Sequence, residues 1–243
     1  GHEKYNLTSG FESYENLKTS KSSDRYQYIL PYYNFDTVLG EKFFDGSISL
    51  GSSGSNNLNN TNELKTSITN DIRYSSLGYI NKFGLKNQYN LLFKNNNLIG
   101  KKSNYKSSPQ IELESLFEFN STLPLISRQN DFNNFLTPKI SFKFNPYGMK
   151  DNSSETRTVG VGDVFSTNRL GLSNTFEEGK SLTLGLDYRK EKLNLEENKE
   201  NENKKLNDIN NYFEIKLATV LRDKEERFIP NKSTLHRKNS NIF

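Results

Sequence analysis

The chain has 243 residues, with 33 basic and 29 acidic side chains, a formal net charge of +4, no cysteine, no tryptophan and a single methionine. Hydrophobic residues make up only 32%, yet there are 17 Phe and 13 Tyr. These figures exclude a transmembrane helix, which needs about 18 consecutive apolar residues, disulfides and thiolate metal sites, and a basic nucleic-acid face, because both charge signs are dispersed; the aromatic content argues against a disordered chain.

The dominant period is two, the spacing at which a strand presents alternate side chains to opposite faces. In chain order, strands are expected near 3–14, 25–36, 42–52, 63–75, 79–94, 109–119, 135–146, 167–176, 181–192, 209–222 and 234–243. The pattern is clearest late in the chain. Leu182, Leu184, Leu186 and Tyr188 alternate with Thr183, Gly185, Asp187 and Arg189, and Phe213, Ile215 and Leu217 with Glu214, Lys216 and Ala218. Earlier, Ile140, Phe142 and Phe144 alternate with Lys139, Ser141 and Lys143. Ala218 is the only alanine, which argues against helices. Pro138 is expected to open a strand and Pro146 to close one.

These strands are about twice the usual length and match the roughly 9–11 residues that cross a bilayer at a tilt. Ser75–Gly78 and Glu177–Lys180 read as tight turns, and 53–62, 95–108, 147–166 and 193–208 as long polar loops, an alternation found in outer-membrane barrels. The connections 120–134 and 223–233 fit that scheme less well. Residues 193–208 read as a charged surface loop. Tyrosines near strand ends (Tyr5, Tyr26, Tyr74, Tyr79, Tyr147) suit interfacial aromatic girdles, although aromatics favour any β-sheet. The expectation is an all-β, antiparallel transmembrane β-barrel wall of about eleven strands, a single domain over 1–243. The chain reads as a piece of a longer protein, with 3–14 and 234–243 as edges of an open sheet. Alternation alone also fits a soluble β adhesin or sandwich.

No motif points to catalysis, a metal or a cofactor. His2 and His236 stand alone, whereas a metal site needs three or four convergent ligands. Glu112, Glu114 and Glu118 share one strand face without a surrounding motif, and Gly160-Val161-Gly162 lacks the strand-then-helix setting of a phosphate loop. Opposite the apolar face of the strands, the face carrying Lys82, Lys86, Lys139, Lys143, Asp187, Arg189, Glu214 and Lys216 is expected to face water in a lumen.

From Leu136 to Glu191 the sequence (LTPKISFKFNPYG, then VGVGDVFSTNRLGLSNTFEEGKSLTLGLDYRKE) resembles the barrel domain of the LPS-assembly outer-membrane protein family (LptD). The resemblance rests on Leu136, Pro138, Pro146, Asp163, Phe165, Asn168, Arg169, Gly171, Glu178, Gly179, Gly185, Leu186 and Tyr188. It extends weakly to Tyr28–Pro31 and to Leu221–Phe243. Asn174 and Asn241 replace the family's Asp, and Thr234 its Gly. The resemblance implies a non-enzymatic translocon of the bacterial outer membrane. Such a protein takes lipopolysaccharide from periplasmic bridge proteins, houses a lipoprotein plug, and releases the lipid through a seam between strands among the outer-membrane lipids. A different outer-membrane channel, porin or receptor shares the wall physics.

Overall fold

The computed structural model describes residues 5–15, 17, 26–43, 45–59, 63–102, 106–129, 132–172, 175–193 and 209–243. Among the described residues the regular structure is β-sheet, apart from one 3-10 turn at Asn231–Ser233. The strands are β1 (Tyr5–Glu15), β2 (Tyr26–Phe43), β3 (Gly46–Asn59), β4 (Glu63–Ser76), β5 (Tyr79–Ile80), β6 (Lys86–Lys101), β7 (Gln110–Thr122), β8 (Leu125–Arg128), β9 (Phe132–Asn145), β10 (Gly179–Leu193) and β11 (Ile209–Arg222). They form one open sheet in the order β1-β2-β3-β4-β6-β7-β9-β10-β11, with β5 beside β6 and β8 beside β9. Every pairing whose register is described is antiparallel.

The number eleven agrees with the expectation, but the membership differs. The expected strand 79–94 is broken after Ile80. Asn81 Oδ1 accepts the amides of Phe83 (2.9 Å) and Leu85 (3.1 Å), and this side-chain cap closes a turn within the expected strand. Residues 53–59 and 95–101, read as loop, continue β3 and β6. Their polar side chains bond across the ladder, as in Ser55–Ser67 (3.3 Å) and Thr66 to Asn56 (2.7 Å), so polarity here does not end the strand. The described residues of 167–176 form no strand. Asn168 bonds both ways with Leu172 (2.8 and 2.9 Å) and brackets a turn there. The segment 234–243 also forms no strand, yet its end follows the edge of β11. Arg222 N donates to Lys238 O (2.7 Å), and Ala218 and Phe243 exchange backbone bonds (3.2 and 2.9 Å). Pro138 lies inside β9 rather than at its start. Its carbonyl accepts the Leu123 amide (3.0 Å), so its missing N–H falls at the break between β7 and β8.

The chain divides into two compact units, Gly1–Leu77 with Asn90–Phe117, and Gly78–Tyr89 with Glu118–Phe243. In the first, Tyr5, Thr37, Leu50, Ile72 and Phe93 form one continuous row across β1, β2, β3, β4 and β6. Tyr5, Ile72 and Phe93 are exposed in that row. The opposite face carries Asp36, Asp71 and Lys94, the last two 3.6 Å apart.

In the second unit the apolar face of β9–β11 is again exposed: Ile140 is 46% accessible, Leu184 37% and Leu217 48%. The polar face is the covered one, with Ser141 and Thr183 at 0%. The cover is made by 146–178 and 223–243. Met149, Val159, Val164, Leu170, Ile229 and Leu235 from these segments form a small core with Ala218 and Val220 of β11. Removal of residues 238–243 is expected to speed amide exchange at Ala218 and Arg222 by well over tenfold while leaving Leu184 and Leu186 unchanged, as read by hydrogen–deuterium exchange.

Candidate functional site

The polar faces of β9, β10 and β11 are held in register by the ladder. Lys143 faces Ser181, which faces Arg222; Ser141 faces Thr183, which faces Val220; and Lys139 faces Gly185, which faces Ala218. Onto the first two rows the 146–178 segment lowers Arg169. Its side chain is fully buried and forms a two-pronged pair with Glu177, through Nε to Oε2 (2.7 Å) and through Nη2 to Oε1. The remaining donors reach Thr183 Oγ1 (2.8 Å), Ser181 Oγ (2.8 Å) and the Val164 carbonyl (3.4 Å). The planar fork of arginine suits this arrangement in a way that lysine does not.

Arg222 approaches Glu177 from β11 and donates Nη1 to the Glu178 carbonyl (2.9 Å). Beside this cluster, Lys143 donates to the Ser166 and Thr167 carbonyls and stands 3.5 Å from Glu118, whose other oxygen accepts Thr167 Oγ1 (2.7 Å). Glu178 accepts the Met149 amide (3.1 Å) and so ties the start of the cover to its end. Burial lowers the Arg169 guanidinium to about 9, so it remains charged at neutral pH. Burial, followed by the nearby Glu178 carboxylate, holds Glu226 above the ordinary carboxylate range.

Two glycines permit this packing. Gly185 leaves room for the Phe165 ring, which would lie 2.5 Å from a Cβ at that position, and Lys139 Nζ sits 5.6 Å from the centre of the same ring. Gly179 opens β10 at φ +78°, and a Cβ there would meet the Glu226 carboxylate at 2.1 Å.

Of the residues singled out in the sequence, Lys139, Lys143, Arg169, Gly179, Gly185 and Asp187 meet on or under the covered face, with Lys139 paired to Asp187. Asn168 and Gly171 form the turn that presents Arg169. Asp163 lies in the cover with its side chain exposed, and its carbonyl accepts Ser166 N (2.8 Å). Arg189 and Lys216 share the polar face but sit further along it, paired with Glu191 (2.6 Å) and Glu214 (3.0 Å). Pro138 and Tyr188 belong to the apolar face, where the Tyr188 hydroxyl donates to Asn134 (3.0 Å). Lys82 lies in the Asn81 turn, not on a strand face. Gly160-Val161-Gly162 forms part of a turn closed by Val164 N to Gly160 O (3.1 Å). Among the described residues no group of three His, Asp or Glu is placed to hold a metal. His2, Asn174 and most of the 193–208 loop lie outside the described residues.

In the sequence Glu177 figures only as part of a turn, and Arg222 only in the weak Leu221–Phe243 extension of the resemblance; neither is singled out there as a site residue. Arg222 had a usable signal, since it shares parity with Lys216 on β11; Glu177, in an irregular segment, had none. Comparison with protein-family models and with curated proteins gives no match.

Truncation of Arg169 leaves Glu177 beside only one buried cation. Arg169→Ala is expected to cost about 3–5 kcal/mol of local stability. The measurable result is rapid proteolysis within 146–178, with β9–β11 amides still protected.

The raised Glu226 has the opposite sign from a paired carboxylate. The folded carboxyl keeps its proton at a higher pH than the unfolded one, so the folded arrangement is favoured on the acid side and loses that advantage as pH rises through the raised value. Burial lowers His236 in the same segment, which acts with the opposite sign, so the two contributions are separated by comparing variants: Glu226→Gln should shift the protease resistance of 223–243 toward higher pH relative to the parent chain, and His236→Gln toward lower pH.

Proposed function

We propose that this chain forms part of the wall of a bacterial outer-membrane β-barrel of the LPS-assembly (LptD) family, a translocon without covalent chemistry. The observation that carries the reading is the inversion of β9–β11: the apolar face is exposed while the charged face is covered and hydrogen-bonded. A water-soluble sheet buries its apolar face and wets its polar one. A wall in hydrocarbon does the reverse, since lipid accepts Ile140, Leu184, Ile215 and Leu217, and the lumen side takes the ions. Backbone groups in lipid must also be paired, which the long ladders accomplish.

The inversion supports a membrane wall of any kind. The family assignment rests on the resemblance over Leu136–Glu191, and the structure gives its residues physical roles. Asn168 and Gly171 build the turn, Arg169 clamps the cover, Gly179 admits Glu226, and Gly185 admits Phe165. On this reading Lys139, Asp187, Arg189 and Lys216 border the route of the lipopolysaccharide glycan or face the lipoprotein plug. The outward face meets outer-membrane lipids, and the periplasmic bridge proteins deliver the substrate.

Neighbours on β11 test both levels. Ile215→Arg is expected to cut folding into lipid vesicles severely, by roughly 2–4 kcal/mol for a cation near the bilayer centre, and Glu214→Arg on the opposite face hardly at all. Equal yields end the membrane reading. A photo-crosslinking residue at Lys216 should capture lipopolysaccharide or the plug lipoprotein in cells; capture of neither, with folding intact, leaves a channel of another family.

A further inference from the structure

The polar face of the first unit is open, unlike the clamped rows of the second. Across β1, β2, β3, β4 and β6 the row Asn6–Asp36–Gly51–Asp71–Lys94 lies on the side opposite Leu50, Ile72 and Phe93. Gly51 places no side chain between the two aspartates. A Cβ there would stand 3.2 Å from Asp36 Oδ1 and 3.7 Å from Asp71 Cβ, so the aspartates flank a hollow with the glycine as its floor. Asn34 donates to Asp36 Oδ2 (3.2 Å) and leaves Oδ1 on the side of the hollow. Asn6, Ser49 and Arg73 also line it, and its volume is about 450 Å³, within the roughly 300–1,000 Å³ of small-molecule sites. Asn6, Asp36 and Arg73 are exposed and Asp71 is half-buried, so solvent reaches these groups.

We infer that this hollow binds an uncharged sugar of a glycan chain. The Asp36 and Asp71 carboxylates accept hydroxyl protons of the sugar, Arg73 and Asn6 donate to its oxygens, and Gly51 lets the ring approach the sheet. The inference rests on the wall reading above for the direction of this face, toward the lumen. Charge selects the ligand class. Asp36 and Asp71 are balanced by Arg73 and by Lys94, which stands 3.6 Å from Asp71, whereas a phosphate site needs an excess of cations and a calcium site an excess of carboxylates. The adjoining row, Asn34–Ser53–Thr69–Asn96, carries only amides and hydroxyls. Each sugar hydroxyl donates one bond and accepts others, which matches acceptors and donors set side by side without net charge.

Titration calorimetry on the natural protein folded in detergent tests the site, with three probes: a dephosphorylated, lipid-free oligosaccharide released from lipopolysaccharide, a dextran oligosaccharide, and inorganic phosphate. Gly51→Leu should weaken saccharide binding by roughly tenfold or more by filling the hollow; Asp36 Oδ1 ends a side chain that can turn aside, so the sheet accommodates the change. Arg73→Gln, at an exposed position, should weaken binding several-fold and decides the question if Gly51→Leu fails to fold. Saccharide binding that both variants leave unchanged, binding of phosphate in place of sugar, or no saccharide binding by the parent protein overturns the site. None of these touches the membrane wall, which stands or falls on the Ile215→Arg and Glu214→Arg yields. Tighter binding of the lipopolysaccharide-derived oligosaccharide than of dextran supports the site together with the LPS-assembly reading; equal binding of the two supports the site in a glycan channel of another family.

Discussion

The guanidinium of Arg169 is the interaction on which the covered half of the sheet depends. It is buried on an irregular segment, and it has five donors to place away from water. One carboxylate and two hydroxyls of β10, together with a carbonyl, satisfy them. A buried ion is tolerated only where its lone pairs and protons are met and an opposite charge is close. Those conditions fix more than one side chain. Glu177 must stand between two arginines, so the chain entering β10 has a single position relative to β11. Ser181 and Thr183 must be small and hydroxylic, so β10 begins with polar residues on that face. The apolar contacts of Val164, Leu170, Ile229 and Leu235 then form beside the clamp.

The same constraint explains why the two faces of β9–β11 are not interchangeable. A one-residue slip in register would carry Leu184 under the cover and Thr183 outward. It would leave Arg169 against an aliphatic side chain, with donors unsatisfied in a buried place. The registers of the β9–β10 and β10–β11 ladders are unbroken over this stretch. The single irregularity between β10 and β11 falls at Lys192–Leu193, beyond the clamp.

Much of this was legible in the sequence where burial and alternation coincide. Runs such as Leu182–Tyr188 and Phe213–Leu217 state their faces outright, and β9–β11 emerge within three residues of their actual ends. The errors share a cause. Asn-Arg-Leu-Gly-Leu at 168–172 alternates like a strand, but its leucines alternate with a clamp residue and a left-handed glycine (φ +62°), and the turn is set by Asn168 bonding to its own backbone neighbours. Conversely, Ser-Gly-Asn composition at 53–59 reads as loop, although the polar groups are met by cross-strand partners and the Tyr33 ring covers Gly54. Composition registers polarity; whether that polarity is satisfied by the adjacent strand depends on register, which no single segment contains. The Glu177–Arg222 pair joins residues 45 apart in the sequence, and only the folded ladder brings them together.

The exposed apolar face of β9–β11 is a product of the ladder as a whole. On β9 the apolar residues of this face run from Phe132 to Phe144 with Asn134 among them, on β10 from Leu182 to Tyr188, and on β11 from Phe213 to Leu221. The registers align them in four successive rows, Phe142–Leu182–Leu221, Ile140–Leu184–Thr219, Pro138–Leu186–Leu217 and Leu136–Tyr188–Ile215. At roughly 3.3 Å per residue these rows extend about 20 Å along the strands. No single strand builds such a patch: Thr219 lies in it only because Ile140 and Leu184 flank it, and Tyr188 only because its hydroxyl reaches Asn134 at the edge. The clamp on the opposite face fixes the register, and the register in turn fixes which side chains are left to form this patch.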